Sequence, residues 1–507
     1  MSAPGPDGLN CEILKKCVLT ISEPIALLFT KSLEEGSVPE LCKRAAVVPI
    51  YKGGERSDPS NYRPISLTPI LMKVMEKIVR EQIVNFMTDN NLFNQTQHGF
   101  MRGRSCLSAL LSVYDQLMQN LSECPSSCID MIYLDFSKAF DKVDHGILMH
   151  KLRNMGITGS LGKWLLDFLS DRKHFVRIPG GTSTDGKVLS GVPQGTVLGP
   201  LLFLVLLSDI SEDINQSNLV SFADDTRIFK QIDDVDNCSV LQRDLGTIYT
   251  WASINNMTFN DSKFEHISFH HQIKHRSDHN VYISACQSII KSKEHIRDLG
   301  ITMSADCSFE VHISEKIKQC RQLTGWILRT FSVRDKHTML TLFKSLVLPR
   351  LEYGCQLWSP IAHKYINAIE SIQRHFTKRI IDMKHLTYQN RLKSLHMYSL
   401  QRRRDRYSAI YTWKLLENIV PNLSPPIEQT FSERRGRLSV LQTVETGRIG
   451  TLSHNSFRWR GSRLFNSLPP AIRNITKICG VEFFKRELDY FLCTLLDTCV
   501  FRMCTMI

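Results

Sequence analysis

Two adjacent carboxylates, Asp224 and Asp225, lie between short apolar runs in Leu219–Phe229, LVSFADDTRIF. The alternation predicts a β-hairpin with acid at its tip. Like charges side by side at a tight turn repel unless a divalent cation sits between them, so the hairpin points to a magnesium site. Alone the pair is weak evidence: a chain of this length should hold about one or two Asp-Asp pairs by chance. Asp233-Asp234 reads as such a case. A second acidic strand changes the balance, because Ile129–Phe136, IDMIYLDF, delivers Asp135 at the end of a near-continuous apolar run. Two rigid strands carrying oxygen ligands suit two-metal phosphoryl transfer. One ion activates a hydroxyl while the other steadies a triphosphate and its leaving pyrophosphate, the ions standing about 4 Å apart. On this chemistry Asp135 and Asp224 bridge the ions and Asp225 supports them.

The elements that must position these groups follow from pattern. A loop, Ala3–Gly8, precedes a helix expected over 9–33, and a strand is expected at Ala45–Tyr51. After the turn at Gly53-Gly54 comes a polar loop and a second extended run stiffened by Pro64, with Lys52, Arg56 and Arg63 around it. Helices are expected at Leu71–Asp89, Ser105–Asn120, Gly146–Met155 and Leu161–Ser170, and a strand pair around Gly180-Gly181. Gly191-Val192-Pro193-Gln194-Gly195 forms a tight loop opening onto an apolar helix, Val197–Leu207. Beyond the acidic hairpin come a helix at 240–255, a strand at Glu265–Phe269 and helices rich in Lys and Arg at Val311–Phe331, Lys336–Leu351 and Ile361–Met383. The basic runs at Gln401–Arg406 and Glu433–Arg437 follow, broken by Pro425-Pro426 and Pro469-Pro470.

At 507 residues and 42% hydrophobic, the chain can bury a large core and is not a disordered protein. Lys and Arg outnumber Asp and Glu by 63 to 50, a net charge of +13 that favours a polyanionic partner such as nucleic acid. No apolar signal region opens the sequence, and the longest wholly apolar stretch, Leu201–Leu207, is too short to span a bilayer. A membrane role is therefore not expected; the compartment is left open, an intracellular one, nucleus or cytoplasm, being compatible with the sequence. The 15 cysteines lack zinc spacing and read as reduced thiols.

In order, NYRPIS, QHGFMRGRS, YLDFSKAFDKVDH, SGVPQGTVLGPLLF, SFADD, NNMTFNDSK and IRDLGITMS resemble the reverse transcriptase of non-LTR retrotransposons, particularly jockey-like and CR1-like LINE elements. LEYGCQLWSP and SRLFNSLPPAI extend the resemblance into the C-terminal region. The resemblance implies an α+β right-hand polymerase with fingers, a palm of antiparallel sheet plus helices, and a helical thumb. Its parts would be an N-terminal extension at 1–43, fingers and palm at 44–300, a thumb at 301–385 and a basic C-terminal region at 386–507. It matches Asp135, Asp224 and Asp225 to the ligands of two magnesium ions, with manganese as the alternative metal. Phe136 would offer its carbonyl to the nucleotide-bound ion, and Phe140 would lie beneath the sugar and exclude a 2′-hydroxyl. Gln194 would touch nucleotide and template, with Gly191 and Gly195 letting the backbone approach. Lys52 and Arg63 would grip the triphosphate, and Lys263 would protonate pyrophosphate. Arg56 and Arg102 are read as solvated loop charges. The implied partners are an RNA template, a DNA primer or target, and dNTPs.

Elements of this class usually carry an apurinic-type endonuclease ahead of the polymerase. This sequence starts inside the polymerase's N-terminal extension, so a truncated reading frame without nuclease is expected. The leading expectation is RNA-directed DNA synthesis. A degenerate copy that binds RNA without synthesis is the alternative, against which the intact Asp135, Asp224, Asp225, Gln194 and Arg63 speak. An RNA-directed RNA polymerase on the same palm is a third reading, disfavoured by the FADD turn, the PQG loop and the bulky Phe140.

Overall fold

A computed structural model describes residues 4–271, 281–432, 437–440 and 452–497. The N-terminal segment carries α1 (Cys11–Lys16) and α2 (Val18–Glu35). The single helix expected over 9–33 is interrupted at Cys17, whose ψ of 8° ends one helix and starts the next. Strands β1 (Arg44–Tyr51) and β2 (Tyr62–Leu67) form an antiparallel hairpin. Then come α3 (Ile70–Asp89), α4 (Cys106–Glu123) and β3 (Cys128–Leu134), followed by α5 (His145–Asn154) and α6 (Gly159–Leu169). The short strands β4 (Lys173–Ile178), β5 (Gly181–Thr182) and β6 (Gly186–Lys187) complete the first sheet, in which β4 runs parallel to β1.

Helix α7 (Gly199–Leu206) is buried along its whole length, as its unbroken apolar sequence requires. Strands β7 (Asn218–Phe222) and β8 (Asp225–Ile232) form the expected hairpin. Helix α8 (Val235–Ile254) is capped by Asp234, which accepts the Asn237 N–H at 2.9 Å. One member of the Asp233-Asp234 pair thus closes a helix end. With β9 (Glu265–His270) and β10 (Lys291–Ser292), the second sheet runs β10-β9-β3-β8-β7 and is antiparallel apart from the β10–β9 pair. Its central strand β3 is buried on both faces, which explains its near-continuous apolar sequence. The one carboxylate inside it, Asp130, accepts the Tyr282 hydroxyl at 2.7 Å and faces His266 at 3.5 Å.

A small hairpin, β11 (His295–Asp298) and β12 (Ile301–Ser304), leads into the helical region. There α9 (Glu310–Thr330) is followed by α10 (Lys336–Leu342) and α11 (Leu348–Glu352). The expected continuous helix Lys336–Leu351 instead passes through a π-helical turn, Phe343–Val347. Pro349 has no N–H for the helical ladder, and the wider turn absorbs the mismatch. Next come α12 (Cys355–Trp358), α13 (His363–Thr377), α14 (Tyr388–Leu395) and α15 (Leu400–Leu416). A hairpin of β13 (Gln429–Ser432) and β14 (Arg437–Val440) precedes α16 (Leu452–Asn455), α17 (Phe457–Asn466), α18 (Pro470–Arg473) and α19 (Val481–Thr494).

Two apolar cores hold these layers. One joins α3, α5, α6, α7 and α8 to one face of the central sheet through Ile132, Ile228 and Leu134. The other starts on the opposite face at Ile129, Met131 and Phe229, and runs through α4 and α9 to Trp413, Phe465 and Phe484 near the C-terminus. The molecule is α+β, with its helical second half packed on the back of the sheet. Among the described residues no helix is long and apolar enough to cross a membrane, and the cysteines are free thiols.

Candidate active site

Phe222 pairs with Asp225 at the end of the β7–β8 hairpin, which leaves a two-residue turn of Ala223 and Asp224. Strand β3 lies against β8 with Leu134 opposite Thr226, so the chain leaving β3 brings Asp135 out beside Asp225. Strand register brings the three carboxylates to the same end of the sheet. Past β3 the chain continues as a short bridge to Phe259. The Ser137 N–H donates to the Thr258 carbonyl and the Asn260 N–H to the Asp135 carbonyl. Both bonds flank Phe136 and leave its carbonyl outside the bridge, while its ring is buried against Phe259 and Trp251. The same crossing brings Lys263 over the site, its Nζ 2.9 Å from Asp135 Oδ2.

Desolvation raises the pKa of Asp224, and the charge of Asp135 raises it further, against the lowering pull of Arg63 and Lys263. Asp225 is pushed up to about 6, first by desolvation and then by Asp224, Asp298 and Asp135. Its solvent-open side screens part of this strain. Among the described residues no group of three or more His, Cys, Asp or Glu side chains is gathered closely enough to hold a metal ion as it stands. The donor set nonetheless has the chemistry a hard divalent cation takes: all oxygen, near enough for Asp135 to act on both Asp224 and Asp225, and carrying repulsion that a cation would relieve. Behind the turn, Arg227 pairs with Asp298 and donates to the Ala109 carbonyl at 3.0 Å. This ties β8 to β11 and α4.

The finger hairpin supplies the cations unevenly. Arg63 stands opposite Ile50 and is close enough to act on Asp224. Lys52 is exposed at the hairpin end, where its N–H donates to the Asn61 carbonyl at 2.8 Å; among the described residues it makes no ion pair. Arg56 lies over the Tyr51 ring at 5.3 Å, and Arg102 is exposed. Phe140 is half-buried, stacked on Phe203 of α7 at 4.5 Å between centroids and edge-on to Phe100 at 6.2 Å.

The loop Gly191–Gly195 is bonded to that same segment. The Gly191 N–H donates to the Val143 carbonyl, the Val192 N–H to the Phe140 carbonyl, and Gln194 Nε2 to Asp141 Oδ1 at 3.2 Å. On its other side the Gln194 carbonyl accepts the Ser66 N–H at 2.6 Å, joining the loop to β2. Only glycine fits at the two ends. A Cβ at Gly191 (φ +87°) would meet Asp141 and Phe140 backbone at 2.7 Å, and one at Gly195 (φ +110°) would meet the Ser66 carbonyl at 2.6 Å.

Two supporting groups were not singled out from the sequence. Glu76 is buried on α3, and its Oε2 accepts the Val197 and Leu198 N–H groups at 2.7 and 2.9 Å, anchoring the end of α7 that carries the loop. Its signal was an acid on an apolar stripe with Met72, Met75 and Val79. Gln97 and Gly99, within QHGFMRGRS, press directly on the Ala223 turn.

The arginines of the basic run, Arg402–Arg404, point inward and not to solvent. Arg402 donates to the Leu492 and Leu495 carbonyls, Arg403 pairs with Glu352, and Arg404 is 1% exposed with its NH2 on Gln401. Helix α15 lies between α13, α17 and α19, so its charges meet the ends and acids of its neighbours instead of solvent. Of the second run, residues 433–436 lie outside the described residues.

An antiparallel sheet presenting three carboxylates at one end, with a basic hairpin in front and a helical region packed behind, is the α+β architecture of a right-hand nucleic-acid polymerase. The family model described as reverse transcriptase (RNA-dependent DNA polymerase) matches residues 50–303, half of the chain, and the chain belongs to that family. It is 28% identical over 387 residues to the probable RNA-directed DNA polymerase from transposon X-element of Drosophila melanogaster, covering 75% of this chain and 42% of the relative. To the RNA-directed DNA polymerase from mobile element jockey of the same species it is 26% identical over 393 residues, again 75% and 42%. The chain thus spans less than half the length of these relatives. Among solved structures it is similar to apo telomerase from Candida tropicalis, with a TM-score of 0.42 and 10% identity over 74% of this chain and 66% of that one.

Proposed function

We propose that the chain is an RNA-directed DNA polymerase that extends a primer 3′-hydroxyl with deoxynucleotides on an RNA template. The observation that carries this reading is the convergence of Asp135, Asp224 and Asp225 with Arg63 and Lys263 at one end of the palm sheet. Two magnesium ions, or manganese in their place, would activate the primer hydroxyl and neutralise charge on the pyrophosphate. Asp135 and Asp224 would hold them, with Asp225 and the Phe136 carbonyl completing the oxygen set. Arg63 grips the triphosphate from the finger hairpin, with Lys52 at the hairpin end as a second cation. Lys263 is positioned to release Asp135 and donate a proton to departing pyrophosphate. Gln194 and Gly195 face nucleotide and template from a loop anchored on both sides, and Phe140 lies beneath the sugar. RNA template, DNA primer or target and dNTPs are the partners this assigns.

The test is incorporation of labelled dTTP on poly(rA)/oligo(dT) with magnesium. Synthesis is expected from the wild-type chain, with loss of at least about 100-fold in Asp224→Asn and Asp135→Asn at unchanged RNA binding. Either variant retaining most of its activity would sink the carboxylate assignment.

A further inference from the structure

A two-residue hairpin turn needs positive φ, which glycine or asparagine adopts at little cost. Between β7 and β8 the position is taken by Ala223, at φ 57° and 6% exposed. Alanine in that conformation needs outside support, and the structure supplies it from the segment Asn94–Gly99. The Ser221 N–H donates to the Thr96 carbonyl at 3.0 Å and the His98 N–H to the Ser221 carbonyl at 2.8 Å, so the segment joins β7 through a single parallel bridge, Gln97 opposite Ser221. Arg104 fixes the segment from behind by donating to the Gln95 and Gln97 carbonyls, each at 2.6 Å.

Gln97 is 5% exposed, and both ends of its side-chain amide are used. Its Oε1 accepts the Ala223 N–H at 2.7 Å and the Gly99 N–H at 2.7 Å, and its Nε2 donates to the Ala223 carbonyl at 3.2 Å. One side chain therefore bonds both backbone groups of the residue from which Asp224 emerges. Gly99 closes the contact, since a Cβ there would lie 2.2 Å from the Ala223 nitrogen. Glutamate could not replace the amide when ionised: its second oxygen would oppose the Ala223 carbonyl and add charge beside Asp224.

We propose that Gln97 is the positioning residue of the catalytic turn, holding Ala223 left-handed and thereby setting the direction in which Asp224 meets Asp135. The proposal rests on the reading of these carboxylates as the polymerase site. Substrate contact is not required of Gln97; it acts through Ala223.

The test compares full-length wild type with Gln97→Met, which keeps the bulk and removes the bonds, and with Gln97→Glu. On poly(rA)/oligo(dT) with dTTP, Gln97→Met should lower kcat by about 10- to 100-fold while KM for dTTP stays within about twofold. Manganese binding followed by thermal shift should weaken several-fold in the same variant, a readout that does not depend on synthesis. Gln97→Glu should regain activity relative to wild type as the pH falls from about 8.5 to about 6.5, because the protonated acid donates to the Ala223 carbonyl as the amide does. Wild-type kcat in Gln97→Met, unaltered manganese binding, or a pH-independent Glu-to-wild-type ratio would each overturn the proposal. If Gln97→Met does not fold, the pH ratio of Gln97→Glu decides. Failure of the wild type to synthesise DNA while binding manganese would count against the polymerase reading and leave the binding comparison to judge Gln97.

Discussion

Among single residues, Phe140 separates a local packing role from a role in substrate choice most sharply. Its ring is stacked on Phe203 but remains half-buried, in a segment whose backbone is bonded to the Gly191–Gly195 loop. Discrimination by a ring under the sugar is steric, so Phe140→Ala should admit ribonucleotides with a modest loss of deoxynucleotide incorporation. Competition between dTTP and rUTP reads this directly. Unchanged discrimination with a lowered Tm would reduce Phe140 to a core aromatic. The buried histidines allow a second test. His312 accepts the Thr302 N–H, and its pKa is lowered to about 3 by burial first and by Lys316 and Arg297 next. A histidine depressed in the folded state stabilises fully above its unfolded value of about 6.5, and that stability is lost as pH falls towards 3. At pH 5 the loss amounts to about 2 kcal/mol for this group. His312→Gln should flatten the acid limb of a Tm-against-pH profile, and an unchanged limb would refute it.

At the level of elements, α15 and α9 share a basic sequence and differ in what they do with it. The arginines of α15 bond to carbonyls and acids of neighbouring elements, whereas Lys318 and Arg329 on α9 are exposed. Neutralising Arg402, Arg403 and Arg404 together should therefore leave the salt dependence of RNA binding unchanged. It should lower stability by about 2 kcal/mol or more, because Glu352, largely buried, loses its arginine and keeps the Tyr407 hydroxyl as a neutral donor. Glutamines at Lys318 and Arg329 should instead reduce the slope of log K against log salt by up to about two units. A flattened slope from the α15 variant would return that helix to the interface.

Across the whole molecule, the C-terminal region is built into the core rather than appended to it. Arg458, on α17, donates to both oxygens of Asp115 on α4 and to the Pro425 and Pro426 carbonyls, with both charged side chains almost fully buried. Helix α4 also borders the palm and carries the Ala109 carbonyl that Arg227 binds behind the acidic turn. Breaking the pair by Arg458→Met or Asp115→Ala leaves one buried charge unmatched, at a cost of about 3–5 kcal/mol. Both unfolding and synthesis should register the loss, with Tm falling further than for any surface arginine. A variant with wild-type Tm would show that the C-terminal helices pack independently.

The acidic hairpin, the Asp135 strand and the glycine-bounded loop could be read from the sequence because each is local: strand period, turn residues and apolar runs act over a few neighbours. Most helix and strand positions as far as α13 were legible for the same reason, whereas the β11–β12 hairpin and helices α14 to α19 were not anticipated. The breaks at Cys17 and at Phe343–Val347 were not, since one lies inside a continuous apolar period and the other adjusts to a proline several residues on. What the tertiary structure alone decided is pairing between distant segments. Strand register placed Asp135 beside Asp225, the crossing at Phe259 carried Lys263 to Asp135, and Gln97 reached Ala223 across more than a hundred residues. Charge on α15 could not be placed from its sequence, because whether an arginine faces water or a buried acid depends on the helix packed against it.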